Sequence, residues 1–147
     1  MLPQPLKRLS DLLTTLPSIG PRQALRLTFY IMSLGKASIS DFASAFMELT
    51  QLSLCADCFY IHQNQNGKCA ICNDESRNKA LIAIIEKETD LLSLEKTKKY
   101  TGTYFIIGEL KKSGVLEQIQ KMKLGALMGR IRKLPNGVAE EILIATN

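Results

Sequence analysis

Cys55-Ala56-Asp57-Cys58, ten residues, then Cys69-Ala70-Ile71-Cys72: this stretch divides the 147-residue chain and governs how the rest of it is read. Each Cys-x-x-Cys pair turns two thiolates toward one point from a tight knuckle. Two knuckles joined by a short loop supply four sulfurs at tetrahedral positions, the arrangement Zn²⁺ prefers, and a site closed by four cysteines is structural rather than catalytic. The segment from 55 to 79 is polar, with Asn64, Asn66, Gly67 and Asn73 as turn formers. It cannot bury a core alone, so one bound Zn²⁺ would substitute for it. A redox dithiol or an iron–sulfur centre would also use cysteines, but a single redox pair has no need of a second Cys-x-x-Cys. His62, the only histidine, reads as a surface residue rather than a fifth ligand.

Before this segment the chain reads as helices. Leu6, Leu9, Leu13 and Leu16 recur at helical spacing, and Pro17 ends that run because the residue before proline is pushed out of the α region. In Ser18-Ile19-Gly20-Pro21, Gly20 suits a positive φ and Pro21 the first turn of a second helix. That helix carries Leu25, Phe29 and Met32 on one face, and a third, from about Ser38, carries Ile39, Phe42, Ala43, Phe46 and Leu49. Leu16-Pro17-Ser18-Ile19-Gly20-Pro21-Arg22 reads as the turn of a helix-hairpin-helix. Its free backbone N–H groups at the start of the second helix would face a phosphate, with Arg22 and Arg26 four residues apart flanking it. Ser18, Gly20, Arg22 and Arg26 are therefore the candidate DNA-binding residues.

After the segment, Ala80 to Ile85 is an apolar run suited to a strand buried on both faces. A helix is expected over Thr89–Thr97, a strand over Thr103–Ile107, and a basic helical stretch over Val115–Leu134, interrupted by Gly125 and Gly129. After the turn Pro135-Asn136-Gly137 comes a strand over Glu141–Ala145. This alternation is that of a mainly parallel α/β unit.

Composition narrows the partners. The net charge is +5, and 11 of the 19 basic residues fall after residue 80, against 8 of the 14 acidic ones. A basic balance allows a nucleic-acid partner, while the absence of Trp and the 6% aromatic content give no sign of a base-stacking surface. No apolar run approaches the ~18–20 residues of a membrane span, and Met1–Ser10 lacks a signal-peptide core. A cytoplasmic location is the expectation.

Taken in order, the hairpin Leu16–Arg22, the four cysteines, the strand Ala80–Glu86, Asp90 with Leu94-Glu95, Tyr100-x-Gly102-x-Tyr104 leading to Gly108, and Glu141-Ile142-Leu143-Ile144-Ala145-Thr146-Asn147 resemble the bacterial recombination mediators of the RecR family over essentially the whole chain. The resemblance implies a multi-module fold: a helix-hairpin-helix over 1–54, a four-cysteine zinc finger over 55–79 and a Toprim-like parallel α/β domain over 80–147. It implies zinc on Cys55, Cys58, Cys69 and Cys72, DNA contact by Arg22 and Arg26, and a partner-binding acidic start to the α/β domain at Glu86 and Asp90. It also implies a homo-oligomer formed through the N-terminal module. The implied role is non-enzymatic: with RecO- and RecF-like proteins, such mediators load RecA onto gapped DNA coated by SSB. Three features depart from the family pattern. Ser18 stands where glycine is usual, Glu109–Leu124 is lysine-rich in place of Ser-Pro-Leu-Asp-Gly, and the sequence stops at Asn147, so the α/β domain is expected to be incomplete at its C-terminal side.

Two other readings compete. In a Toprim-type metal-dependent nicking enzyme a glutamate after the first strand works with an Asp-x-Asp pair; Glu86 is present, and no Asp-x-Asp occurs. Glu86 would otherwise pair with a lysine, and Asp90 and Glu95 with Lys98 or Lys99. The other is a protein-binding zinc module that has lost its grip on DNA.

Overall fold

The structure, a computed structural model, describes residues 2–146; Asn147, the last residue of the family-like closing segment, lies outside them. The chain forms two compact units, divided between Gln51 and Leu52.

The first unit is three helices: α1 (Gln4–Leu13), α2 (Pro21–Ser33) and α3 (Gly35–Leu49), with α2 packed against both others. α1 ends at Leu13, short of Pro17, and Leu16 stands in the turn, where its carbonyl accepts from the Ile19 amide at 3.3 Å. Gly20 is the N-cap of α2 with extended backbone, φ −83°, and the left-handed residue of the turn is instead Ser18, φ 66°. The expectation of a positive φ at Gly20 is therefore corrected: Gly20 must stay extended for its carbonyl to accept the Ala24 amide at 2.9 Å, so the chain reverses two residues earlier. α2 buries Ala24 and Thr28, the Thr28 hydroxyl donating to the Ala24 carbonyl at 2.9 Å. The Leu25, Phe29 and Met32 stripe is exposed, as are Phe42, Phe46 and Leu49 on α3. Ala24 and Thr28 are fully buried and Leu9, Leu13, Leu27 and Ile31 are half-buried, so the helices meet along these positions rather than along the Leu25 stripe.

The second unit begins with the antiparallel strands β1 (Ser53–Leu54) and β2 (Ile61–His62), followed by the short helix α4 (Ala70–Asn73). A parallel sheet follows, built from β3 (Leu81–Ile85), β4 (Thr103–Ile106) and β5 (Glu141–Ala145), with α5 (Glu88–Lys96) and α6 (Gln118–Arg132) in the crossovers. Strand order is β4-β3-β5, with Ile84 opposite Phe105 on one side and Ile144 on the other. The apolar run at 80–85 thus occupies the centre, as its composition demands. β5 forms an edge among the described residues, with Ile144 70% exposed. α6 runs through Gly125 and Gly129 without a break.

Two apolar clusters lie in the unit. Ile82, Phe105 and Ile107 pack with Leu127 and Ile131 of α6, and Ala83, Ile85, Tyr104 and Ile106 pack with Leu91 of α5. The four-cysteine segment adds Phe59 to the first and Tyr60 and Ile71 to the second. The polar segment that cannot make a core alone borrows this one. No helix among the described residues is long and apolar enough to cross a membrane.

Candidate metal centre and nucleic-acid face

The four cysteine sulfurs lie within 4.8 Å of one another, all four cysteines are buried and none is in a disulfide. Local geometry explains the convergence. The Cys55 amide donates to the Tyr60 carbonyl at 2.8 Å and the Phe59 amide to the Cys55 carbonyl at 2.9 Å, which closes the first knuckle. Phe59 takes a left-handed φ of 64° to complete the turn, and its ring packs edge-on to Phe105 at 5.6 Å. In the second knuckle the Cys72 amide donates to Cys69 Sγ at 3.4 Å, matching Tyr60 N to Cys58 Sγ at 3.4 Å. Such N–H···S contacts favour sulfur as thiolate.

The donor set fits a tetrahedral divalent ion. Bonds of about 2.3 Å would put sulfurs about 3.8 Å apart, and Cys58 Sγ and Cys69 Sγ are 3.5 Å apart. Thiols this close compete for protons. Hydrogen bonds from Cys58, then Cys69 and Cys72, hold Cys55 far below the ordinary thiol range, and Cys55 in turn pushes Cys58 far above it. A cation at the centre relieves that conflict by accepting all four as thiolates. The cluster is compatible with a zinc site.

His62 departs from its expected surface position: it is 8% exposed, its Nδ1 accepts from the Asn64 amide at 3.0 Å, and its Nε2 is buried with no hydrogen-bond partner among the described residues. Pairing with β1 turns it inward.

The hairpin residues gather at one end of α2. Arg22 and Arg26 are exposed, one turn apart, with Ser18 and Gly20 in the exposed turn that leads into the helix. The acidic pair is differently engaged. Glu86 follows β3, is 5% exposed and accepts from the Leu110 amide at 3.4 Å through Oε2. Asp90 accepts from the Lys87 amide at 3.0 Å and so caps α5. The lysine partners expected for this region are redistributed: Lys87 pairs with Glu109 at 3.4 Å. Glu95 pairs with Arg77, at 2.6 and 2.9 Å, rather than with Lys98 or Lys99, and accepts from the Tyr104 hydroxyl at 2.7 Å. Residue spacing gave no sign of Arg77, which approaches α5 only through the fold.

No family model matches the chain. Curated relatives do. Recombination protein RecR of Pediococcus pentosaceus is 32% identical over 151 residues, covering 99% of this chain and 71% of the relative. The chain belongs to the RecR family. RecR of Ligilactobacillus salivarius is 31% identical with the same coverage, and RecR of Leuconostoc mesenteroides is 29% identical over 146 residues, 99% of this chain and 72% of the relative. The role of this RecR-family chain is in DNA recombination and repair.

Proposed function

We propose that this chain is a non-enzymatic recombination mediator that holds DNA by its N-terminal helices and is organised by a structural zinc. The observation that carries the reading is the exposed pair Arg22 and Arg26 on α2, beside a turn whose following amides are free for phosphate. The contact reads backbone charge and shape, so binding is salt-dependent and indifferent to sequence. In this reading 1–54 is a helix-hairpin-helix, 55–79 a zinc finger on Cys55, Cys58, Cys69 and Cys72, and 80–147 a Toprim-like domain. Asp90 at the start of α5, with the buried Glu86 holding the Leu110 amide behind it, marks the region offered to RecO- and RecF-like partners during RecA loading on SSB-coated gaps in the cytoplasm. The exposed apolar stripe of the first unit, Phe46 at 67% among them, supports assembly of copies through the N-terminal module, because large apolar side chains in water favour a partner surface.

Fluorescence anisotropy on labelled DNA tests the DNA reading. Arg22→Glu and Arg26→Glu each weaken binding about tenfold or more near physiological salt and flatten the salt slope by roughly one to two. Unchanged affinity in both variants removes the hairpin from the interface.

A further inference from the structure

Arg130 of α6 has no part in the roles given above, yet it reaches the first knuckle and β4 at once. Its Nη1 donates to the Asp57 carbonyl at 3.1 Å and to the Tyr104 carbonyl at 3.2 Å, and its Nη2 donates to Thr103 Oγ1. Asp57 lies inside the first knuckle, between Cys55 and Cys58. A second line of contacts runs beside it: the Ile106 amide donates to the Cys58 carbonyl at 2.9 Å, and Lys123 Nζ donates to the Ile106 carbonyl at 3.0 Å while standing 5.0 Å from the Phe59 ring centre. The second knuckle has its own tie, Lys79 Nζ to the Cys72 carbonyl at 3.0 Å.

We infer that Arg130 is a positioning residue for the metal centre, holding the first knuckle against β4 and α6 so that Cys55 and Cys58 stay aimed at Cys69 and Cys72. The inference rests on reading the four cysteines as a zinc site. The guanidinium is suited to the task because its rigid planar fork presents donors on two nitrogens in fixed directions, so it can bridge acceptors on the knuckle and on β4 together. Outer groups that orient ligands govern metal retention.

Arg130 also lines a cleft of about 500 Å³ with Lys68, Lys79 and Lys133 beside Asp57. Taken alone, such a cleft suits a phosphate. Charge decides against it: four thiolates around Zn²⁺ leave two negative charges, which together with Asp57 cancel three of the four cations. Lys68 is engaged with Asp57 at 2.8 Å, and Lys79 and Arg130 with carbonyls. The cations serve the metal centre and its knuckles first.

The test uses the full chain loaded with zinc. Elemental content is measured first, then the rate of zinc release to an excess of a chromogenic chelator well below the melting temperature. Wild type holds one zinc. Arg130→Met and Arg130→Lys release it about tenfold faster or more, with Arg130→Lys, which keeps the charge, deciding where Arg130→Met does not fold. Lys133→Met, in the same cleft, releases at the wild-type rate, and Leu91→Ala, which loosens the core but removes no hydrogen bond to a knuckle, releases more slowly than either Arg130 variant. Release from both Arg130 variants at the wild-type rate overturns the inference. So does equally fast release from Leu91→Ala, because Arg130 would then be one more contributor to the fold. A wild-type protein without zinc overturns the zinc reading and the inference together.

Discussion

Ser18 carries a φ of 66°, the left-handed region in which a Cβ crowds the neighbouring carbonyl. Ser18→Gly removes roughly 1–2 kcal/mol of that crowding and returns about 0.4–1 kcal/mol as extra freedom in the unfolded chain. The variant is expected to gain about 0.5–1 kcal/mol, read as a higher denaturant midpoint of the far-ultraviolet helix signal. The departure from the family's glycine is thus a mild strain that leaves the turn intact. Gly102 is the opposite case. A Cβ there would lie 2.6 Å from the Leu81 carbonyl oxygen and from the Tyr100 ring. Leu81 begins the central strand and cannot yield, so Gly102→Ala destabilises the second unit by about 1–3 kcal/mol; a thermal melt indistinguishable from wild type would contradict this. Gly102 was visible in the sequence only as a member of the Tyr100-x-Gly102-x-Tyr104 resemblance. Its steric reason appears only when Leu81 is laid beside it.

At the scale of elements, α5 is fastened by Glu95. Burial pushes the Glu95 carboxyl up, but Arg77 and the Tyr104 hydroxyl pull it further down, so it titrates below its ordinary value. A lowered carboxyl contributes stability above its unfolded value, about 4.3, and loses it as pH falls through the folded value. Between about pH 5 and 3 the wild type is therefore expected to lose stability more steeply than Glu95→Gln; parallel acid-unfolding curves would show that the network is silent. The boundaries of α5 and of β5 were legible from spacing and propensity. The partner of Glu95 was not: spacing along one helix points to Lys98 and Lys99, whereas Arg77 lies 18 residues away and arrives because the chain leaving the four-cysteine segment passes beside α5. The same holds for the helical faces of the first unit. Periodicity marks a stripe, but it does not say whether the stripe meets the neighbouring helix or water, and on α2 it is Ala24 and Thr28 that are buried while Leu25, Phe29 and Met32 are exposed.

For the whole molecule, the four-cysteine cluster and the α/β core are one structure. Phe59, Tyr60 and Ile71 leave the knuckles to pack in the two apolar clusters, and Ile106 and Arg130 return hydrogen bonds to knuckle carbonyls. The binding energy of a zinc held there would therefore be folding energy for the second unit as a whole. Stripping the metal with a strong chelator is expected to collapse the near-ultraviolet signal of Tyr60, Tyr100 and Tyr104 and to lower the melting temperature of this unit by about 10 °C or more, on the order expected for loss of several kcal/mol. Most far-ultraviolet helix signal from α1–α3 should persist. A chelated protein with an unchanged near-ultraviolet spectrum would detach the cysteines from the core.

What the amino-acid sequence determined alone is local: four cysteines at metal-binding spacing, an apolar run destined for the centre of a parallel sheet, a proline- and glycine-bearing turn between helices, and two arginines on one face. Each rests on chemistry within a few residues, where spacing is geometry. Tertiary structure decided which side chains the site depends on beyond its ligands. Arg130 is 73 residues from Asp57, and nothing in the spacing of the intervening chain brings them together. They meet because β4 lies beside the central strand, α6 packs across one face of that sheet, and the first knuckle closes over the edge of β4 through the Ile106 amide. Partial burial then makes the meeting matter, since a knuckle carbonyl only partly open to water gains from a fixed donor and the guanidinium supplies it.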